Sequence, residues 1–303
     1  MWNGAQITGQ TGRKAHLMNG MAESSATELI IEAGRTERHY WRDLWRYREL
    51  FYFLAWRDIL VRYKQTVIGI AWAVIRPLLA TVVFTVVFGK LAKLPSYGVP
   101  YPILIFAAML PWQFFANSLT ECSSSLITNS NLISKIYFPR LIIPASAVIV
   151  SLVDFLISVV LLALMIGGYD LLTPYSFEFN PKLLTLPIWI VIAFAAAMGA
   201  GLWLGALNVK YRDFRYVVPF IVQLGFYISP VCFSSNIVPE KWRLLYSLNP
   251  MVGVIDGFRW ALLGEGVSLY LPGLATSLVL VGLILASGIW YFRRTEKGFA
   301  DII

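Results

Sequence analysis

Three ionisable side chains interrupt stretches that otherwise read as hydrocarbon: Arg76, Glu121 and Asp154. A charge in such a setting is costly unless it is paired, hydrated or used, so each marks a place for an ion pair, a proton relay or a path for a charged cargo. Arg76 lies about nine residues into its apolar stretch, Glu121 about six from the end of the next, and Asp154 about thirteen into the third. At about 1.5 Å per residue, Arg76 falls at a depth between the two acids, and a salt bridge is geometrically open to it. The alternatives are an arginine that snorkels beside a kink at Pro77, or one that faces a path. A proton relay normally needs more such groups than these, which argues against secondary transport.

Other chemistry is conspicuous by its missing parts. The sequence has no GxxxxGK[ST] loop, so it cannot grip ATP by that motif. Its two histidines, His16 and His39, stand in the amino segment far from any carboxylate cluster, which disfavours a metal site or a histidine-activated nucleophile. Cys122 and Cys232 are expected at opposite ends of a membrane, as two buried apolar thiols and not a disulfide. Catalytic residues, bound cofactor and metal are therefore all expected to be none, and a membrane glycosyltransferase lacks the clustered acids or metal motif it would need.

The elements that hold the three charges follow from composition. The chain is 58% hydrophobic, 15% aromatic and only 14% charged, more apolar surface than one soluble core can hide. Runs of roughly 20 apolar residues, enough to cross about 30 Å of hydrocarbon, predict spans at Ile68–Gly89, Ile103–Ile127, Leu141–Tyr169, Leu183–Asn208, Val217–Val238 and Pro272–Phe292. The fold class is thus an all-α integral membrane protein with six transmembrane helices. Lys and Arg gather in the amino segment, in the loops around Lys135 and Lys210, and near Arg293, which places both termini in the cytoplasm of a multi-pass protein of the cell's inner membrane. The net charge of +8 then lies mostly on one face and suits anionic lipid, not nucleic acid.

The domain reading is a disordered or extended amino segment over 1–39, an amphipathic interface helix over 40–66 and a six-helix transmembrane domain over 67–303. Residues 1–39 are polar, with LIIEAG a possible short strand, and lack a secretory signal. In the second segment Trp41, Trp45, Tyr52, Trp56, Ile59 and Tyr63 recur at helical spacing against Arg42, Arg46, Glu49, Arg57 and Lys64, which predicts a helix lying in the headgroup layer or against a partner domain. Between the fifth and sixth spans, apolar pieces of about 10 to 14 residues broken by Pro230, Pro239 and Pro250 are too short to cross and predict an outer re-entrant helical hairpin.

Taken in order, RYKQTVIGIAWAVIRPLL, VVFGKL, MLPWQFFANS, NSNLISKIYFPRLIIP, NVKYRDFRY, YISPV and SLNPMVGVIDGFRWALL resemble the membrane subunit of type-2 ABC exporters of cell-surface polysaccharide, the permeases for O-antigen, capsule or teichoic acid. The resemblance runs from about Tyr40 to the carboxyl end. It implies a homodimer joined to two copies of a separate ABC ATPase, which carries the ATP and Mg, and a lipid-linked polysaccharide as substrate. It further implies ATPase coupling through the loop from Asn129 to Arg140, with Asn131, Lys135, Tyr137, Phe138, Pro139 and Arg140, and through Lys210, Tyr211, Arg212 and Asp213. An outer re-entrant gate would use Trp242, Asn249, Pro250, Arg259 and Trp260.

For such a cargo, pyranose C–H faces pack on aromatic rings with tolerance of register, so a ring-lined channel holds a chain while letting it slide. The rings expected on the pathway are Trp72, Trp112, Phe115, Trp203 and Tyr227, with Arg76 as a deeper charge; lipid anchoring is their competing role. A lipid diphosphate needs cations near the inner opening, for which Arg57, Arg62 and Lys64 are expected. The alternative function is a type-2 ABC permease for a drug or a lipid without glycan.

Overall fold

A computed structural model describes residues 40–64, 69–96, 98–177, 179–264 and 269–299. The readings made for residues 1–39, including His16, His39 and the LIIEAG strand, lie outside the described residues, as do the expected ends of the interface helix at Gln65 and Thr66. Contacts divide the chain into an amino-terminal unit ending at Arg42, of which Tyr40–Arg42 are described, and a body from Asp43 to Ile303. The described residues are helical, with no strand among them.

The segment expected as one interface helix is two, α1 (Tyr40–Arg46) and α2 (Arg48–Lys64). Then α3 (Gly69–Phe84) continues into a π-helical stretch, Thr85–Leu91. Pro77 has no N–H to give the ladder, and the Thr81 hydroxyl donates to its carbonyl at 2.7 Å. The long α4 (Tyr101–Thr128) is followed by the single turn-and-a-half of α5 (Ser130–Lys135) and by α6 (Ile142–Leu172). Next come α7 (Leu186–Lys210) and α8 (Phe214–Ile228). The short α9 (Glu240–Tyr246) and α10 (Pro250–Leu263) precede the closing α11 (Leu271–Thr295).

Five of these stretches are long and apolar enough to cross a membrane among the described residues: 71–91, 101–128, 142–172, 181–210 and 271–298. The expected fifth span, Val217–Val238, is cut short. Pro230 disfavours helix at the residue before it, Ser229 turns extended with ψ 152°, and α8 stops at Ile228. Its 15 residues rise about 22 Å, less than the hydrocarbon thickness.

The core is built on α4, whose first half is hydrophobic all round and therefore belongs inside: Ile103, Ile105, Ala107 and Ala108 are wholly enclosed. It packs against α6, α7 and α10. The crossing of α7 with α11 needs two glycines. A Cβ on Gly288 would sit 2.3 Å from the Gly199 carbonyl oxygen, and one on Gly199 would sit 2.6 Å from the Leu285 backbone. Backbones that close are the usual device where lipid supplies no hydrophobic drive between helices. By contrast α3 turns Ile75, Leu79, Val82 and Val83 outward, and the π-helical stretch after it Val86. Cys122 and Cys232 are buried and free.

Candidate functional site

The acids read from the sequence are joined, but by a different arginine. Arg62, in the last turn of α2, donates through Nη1 to Asp154 Oδ2 of α6 at 2.6 Å and through Nη2 to Glu121 of α4. The Tyr63 hydroxyl donates to the other oxygen of Asp154. Arg76 instead holds its guanidinium 5.9 Å from the ring of Trp72, one turn earlier on an outward face of α3, so the salt bridge to Glu121 or Asp154 that its depth allowed is not made. Depth along a helix was a sound guide, but azimuth was missing. The expectation for Arg62, shared with Arg57 and Lys64, is a lipid diphosphate at the inner opening; here its guanidinium is occupied by the two acids. The signal that places it inward is a four-residue stripe: Leu54 is buried, Asp58 half-buried, and Arg62 continues the same face.

Arg57 is also engaged. Its Nη2 donates to Asn129 Oδ1 at 2.9 Å and its Nε to Asp58 at 2.8 Å. Asn129 stands at the break between α4 and α5, outside helical geometry at φ −102° and ψ 25°, and its amide nitrogen donates back to the Ser125 carbonyl. Asn131 and Lys135 of α5 are exposed, as are Ile136 and Tyr137 beyond it, while Phe138 and Pro139 are buried and seat the loop. Arg140 donates to the carbonyl of Glu296, past the end of α11. The second expected coupling patch is open: Lys210, Tyr211, Arg212 and Asp213 are all exposed, with Lys210 Nζ 5.1 Å from the Tyr211 ring.

The pathway rings separate into two sets. Trp112 is buried against Phe115 and Phe226, at ring distances of 5.6 and 6.2 Å, and fits because its neighbour on α8 is Gly225, where a Cβ would lie 2.7 Å from the indole. Trp203 stacks on Tyr291 at 4.1 Å and donates its indole N–H to Ser287, pinning α7 to α11. Those three side chains, Trp112, Phe115 and Trp203, are held within the chain. Trp72 and Tyr227 are exposed.

At the opposite end of α4, Arg259 of α10 is 1% exposed. It donates to the carbonyls of Pro230, Val231 and Phe233 at 2.8 Å and to that of Leu104 at 3.3 Å. An expected lining residue of a gate is thus a staple, clasping the segment after α8 onto α4. Burial pushes the nearby Asp256 carboxyl up to about 6, against the opposing pull of Ser235, Arg259 and Arg243. Asn249 caps α10 through Met251 N–H and donates to Ser229 Oγ, with Pro250 at the first helical position. Trp242 is exposed beside Lys241, and half-buried Trp260 lies under Lys182.

The described residues contain no group of His, Cys, Asp and Glu that could hold a metal ion. A bundle of long apolar helices, bridged by charges and flanked by basic loops, is the build of an integral membrane protein. The chain belongs to the ABC-2 type transporter family, whose membrane-domain pattern matches residues 49–263, from α2 to the end of α10. Membership implies a separate ATPase as partner. Among similar proteins, an O-antigen export system permease protein RfbA of Klebsiella pneumoniae is 27% identical over 84% of this chain and 95% of its own. One of Myxococcus xanthus is 27% identical over 86% and 98%. The polysialic acid transport protein KpsM of Escherichia coli is 22% identical over 76% and 89%.

Proposed function

We propose that this chain is the permease subunit of an ATP-driven exporter that carries a lipid-linked cell-surface polysaccharide from the cytoplasm across the inner membrane. The observation that carries the reading is that relatives named as O-antigen export permeases match it nearly end to end, over 95% and 98% of their lengths. On this reading two copies assemble with two ATPase subunits. Both termini are cytoplasmic, α2 lies at the inner face, and α8 with the clasped segment after it serves as a shortened sixth crossing. The pair α9 and α10 dips in from the outer side. The exposed residues Lys135, Tyr137 and Lys210 to Asp213 then meet the ATPase, and transport proceeds by alternating closure of the path.

The test is ATP hydrolysis by the reconstituted complex of this chain with its partner ATPase, with and without lipid-linked glycan. Glycan is expected to stimulate hydrolysis at least about twofold, and Lys135→Glu to abolish the stimulation by placing an acid at the docking surface. A complex that forms but ignores glycan moves the cargo to a drug or a glycan-free lipid. Failure to form any complex overturns the ATPase pairing.

A further inference from the structure

The two arginines of α2 deserve to be read together, because they end on two parts of one machine. Arg57 ends on Asn129, the residue at which α4 breaks before the exposed α5 loop. Arg62 ends on Glu121 of α4 and Asp154 of α6, two of the long helices. Glu121 and Asn129 are eight residues apart on α4, about 12 Å of helix, while the two arginines are five apart on α2, about 7.5 Å, a gap their long side chains span by splaying. In that order α2 runs antiparallel to the end of α4. The body of α2 packs along α6, and the arginines are its reach across to α4.

We propose that α2 is a strut in which Arg57 senses the hinge at Asn129 and Arg62 passes the movement to the second and third long helices. Both are positioning residues. The assignment rests on the exporter reading, since it needs the α5 loop to be where the ATPase pushes. Asn129 suits a hinge: its Oδ1 takes Arg57 while its Nδ2 caps the Ser125 carbonyl, so a swing of α5 about this residue shifts the acceptor that Arg57 follows. The links are of a kind that can be remade in a cycle. Arg57 and Asp58 side chains are 40% and 31% exposed, and Arg62, Glu121 and Asp154 are 31%, 43% and 20% exposed. Pairs open to that degree are individually weak and form and break readily. Two carboxylates on one guanidinium, with a phenol on the second oxygen of Asp154, let Arg62 keep one partner while it exchanges the other.

The readout is glycan exported per ATP hydrolysed by the full complex in vesicles, at matched amounts of assembled complex. Arg57→Ala and Arg62→Ala are each expected to lower it by about tenfold, within the range that coupling residues distant from a ligand command. Arg57→Lys should restore most of the loss, because one ammonium still reaches Asn129, whereas Arg62→Lys should restore little, because one ammonium does not span both carboxylates. Exchanging the charges, Arg62→Asp with Asp154→Arg, should recover export per ATP relative to either change alone. Should the arginine variants fail to assemble, Tyr63→Phe removes a single hydroxyl from the bridge and is expected to lower the ratio about threefold. A wild-type complex that exports, alongside variants with the same ratio, overturns the strut alone. A wild-type complex with no glycan export overturns the exporter reading and the strut with it.

Discussion

A single side chain, Arg259, shows how a charge is made tolerable in the interior. Its guanidinium donates to four backbone carbonyls, three of them in the irregular stretch after α8, so the arginine and the loop each satisfy groups the other would leave bare. A buried carbonyl without a donor costs about 1–3 kcal/mol. Arg259→Leu strands several at once and is expected to lower the melting temperature of the detergent-solubilised protein by more than about 5 °C, scaled to a domain of this size. Arg259→Lys should do nearly the same, because one ammonium cannot cover acceptors spread from Leu104 to Phe233. A melting curve unchanged in both variants would show that the clasp does not stabilise the fold. The same residue marks a limit of sequence reading. The family resemblance implies a gate role for Arg259, but whether the side chain lines an opening or closes a loop depends on carbonyls that no residue letter reports.

Among the elements, length and hydropathy made the helices legible, and the spans centred on Ile103–Ile127, Leu141–Tyr169 and Leu183–Asn208 stand within a few residues of where the apolar runs placed them. Where the reading failed, a local rule had overridden the average. Apolar residues continue past Ile228, yet Pro230 ends α8 at once, and a window of hydropathy cannot weigh one proline against ten apolar neighbours. Helix azimuth is hidden as well, so the depth that leaves a bridge to the acids open to Arg76 does not reveal that Arg62 makes it. The close contact of α7 with α11 is a second feature that length and hydropathy do not report. A Cβ on Gly199 would lie 2.6 Å from the Leu285 backbone, so Gly199→Val must push the two backbones apart. Overpacking of that kind costs about 1–3 kcal/mol or more. The expected outcome is a loss of assembled protein in membranes and a lowered melting temperature, whereas Gly282→Val, which meets nothing within 4 Å, should be silent. Equal behaviour of the two variants would contradict the close crossing.

For the molecule as a whole, the question is which surface a polysaccharide would touch. The aromatic residues foreseen from sequence separate physically: Trp112, Phe115 and Trp203 face helices of their own chain, while Trp72 and Tyr227 face outward from α3 and α8. These two helices are linked to each other by Phe84 on Phe226, at 5.5 Å, and the next residue after Phe226 is the exposed Tyr227. A ring already stacked inside a bundle has no free face to offer a pyranose, so its loss is felt as packing, while a ring on an open face is free to be felt as transport. Trp112→Ala and Trp203→Ala are therefore expected to lower stability by about 3–5 kcal/mol if fully felt, and to lower the yield of complex with it. Trp72→Ala and Tyr227→Ala should leave the yield intact and slow export several-fold, the scale of about 1–1.5 kcal/mol for a lost ring contact. Export and complex yield measured side by side decide the matter. If Trp72→Ala and Tyr227→Ala export at the wild-type rate, those rings meet lipid and the path runs along another face. If Trp112→Ala assembles fully and yet exports slowly, the bundle opens that ring to the cargo during the cycle.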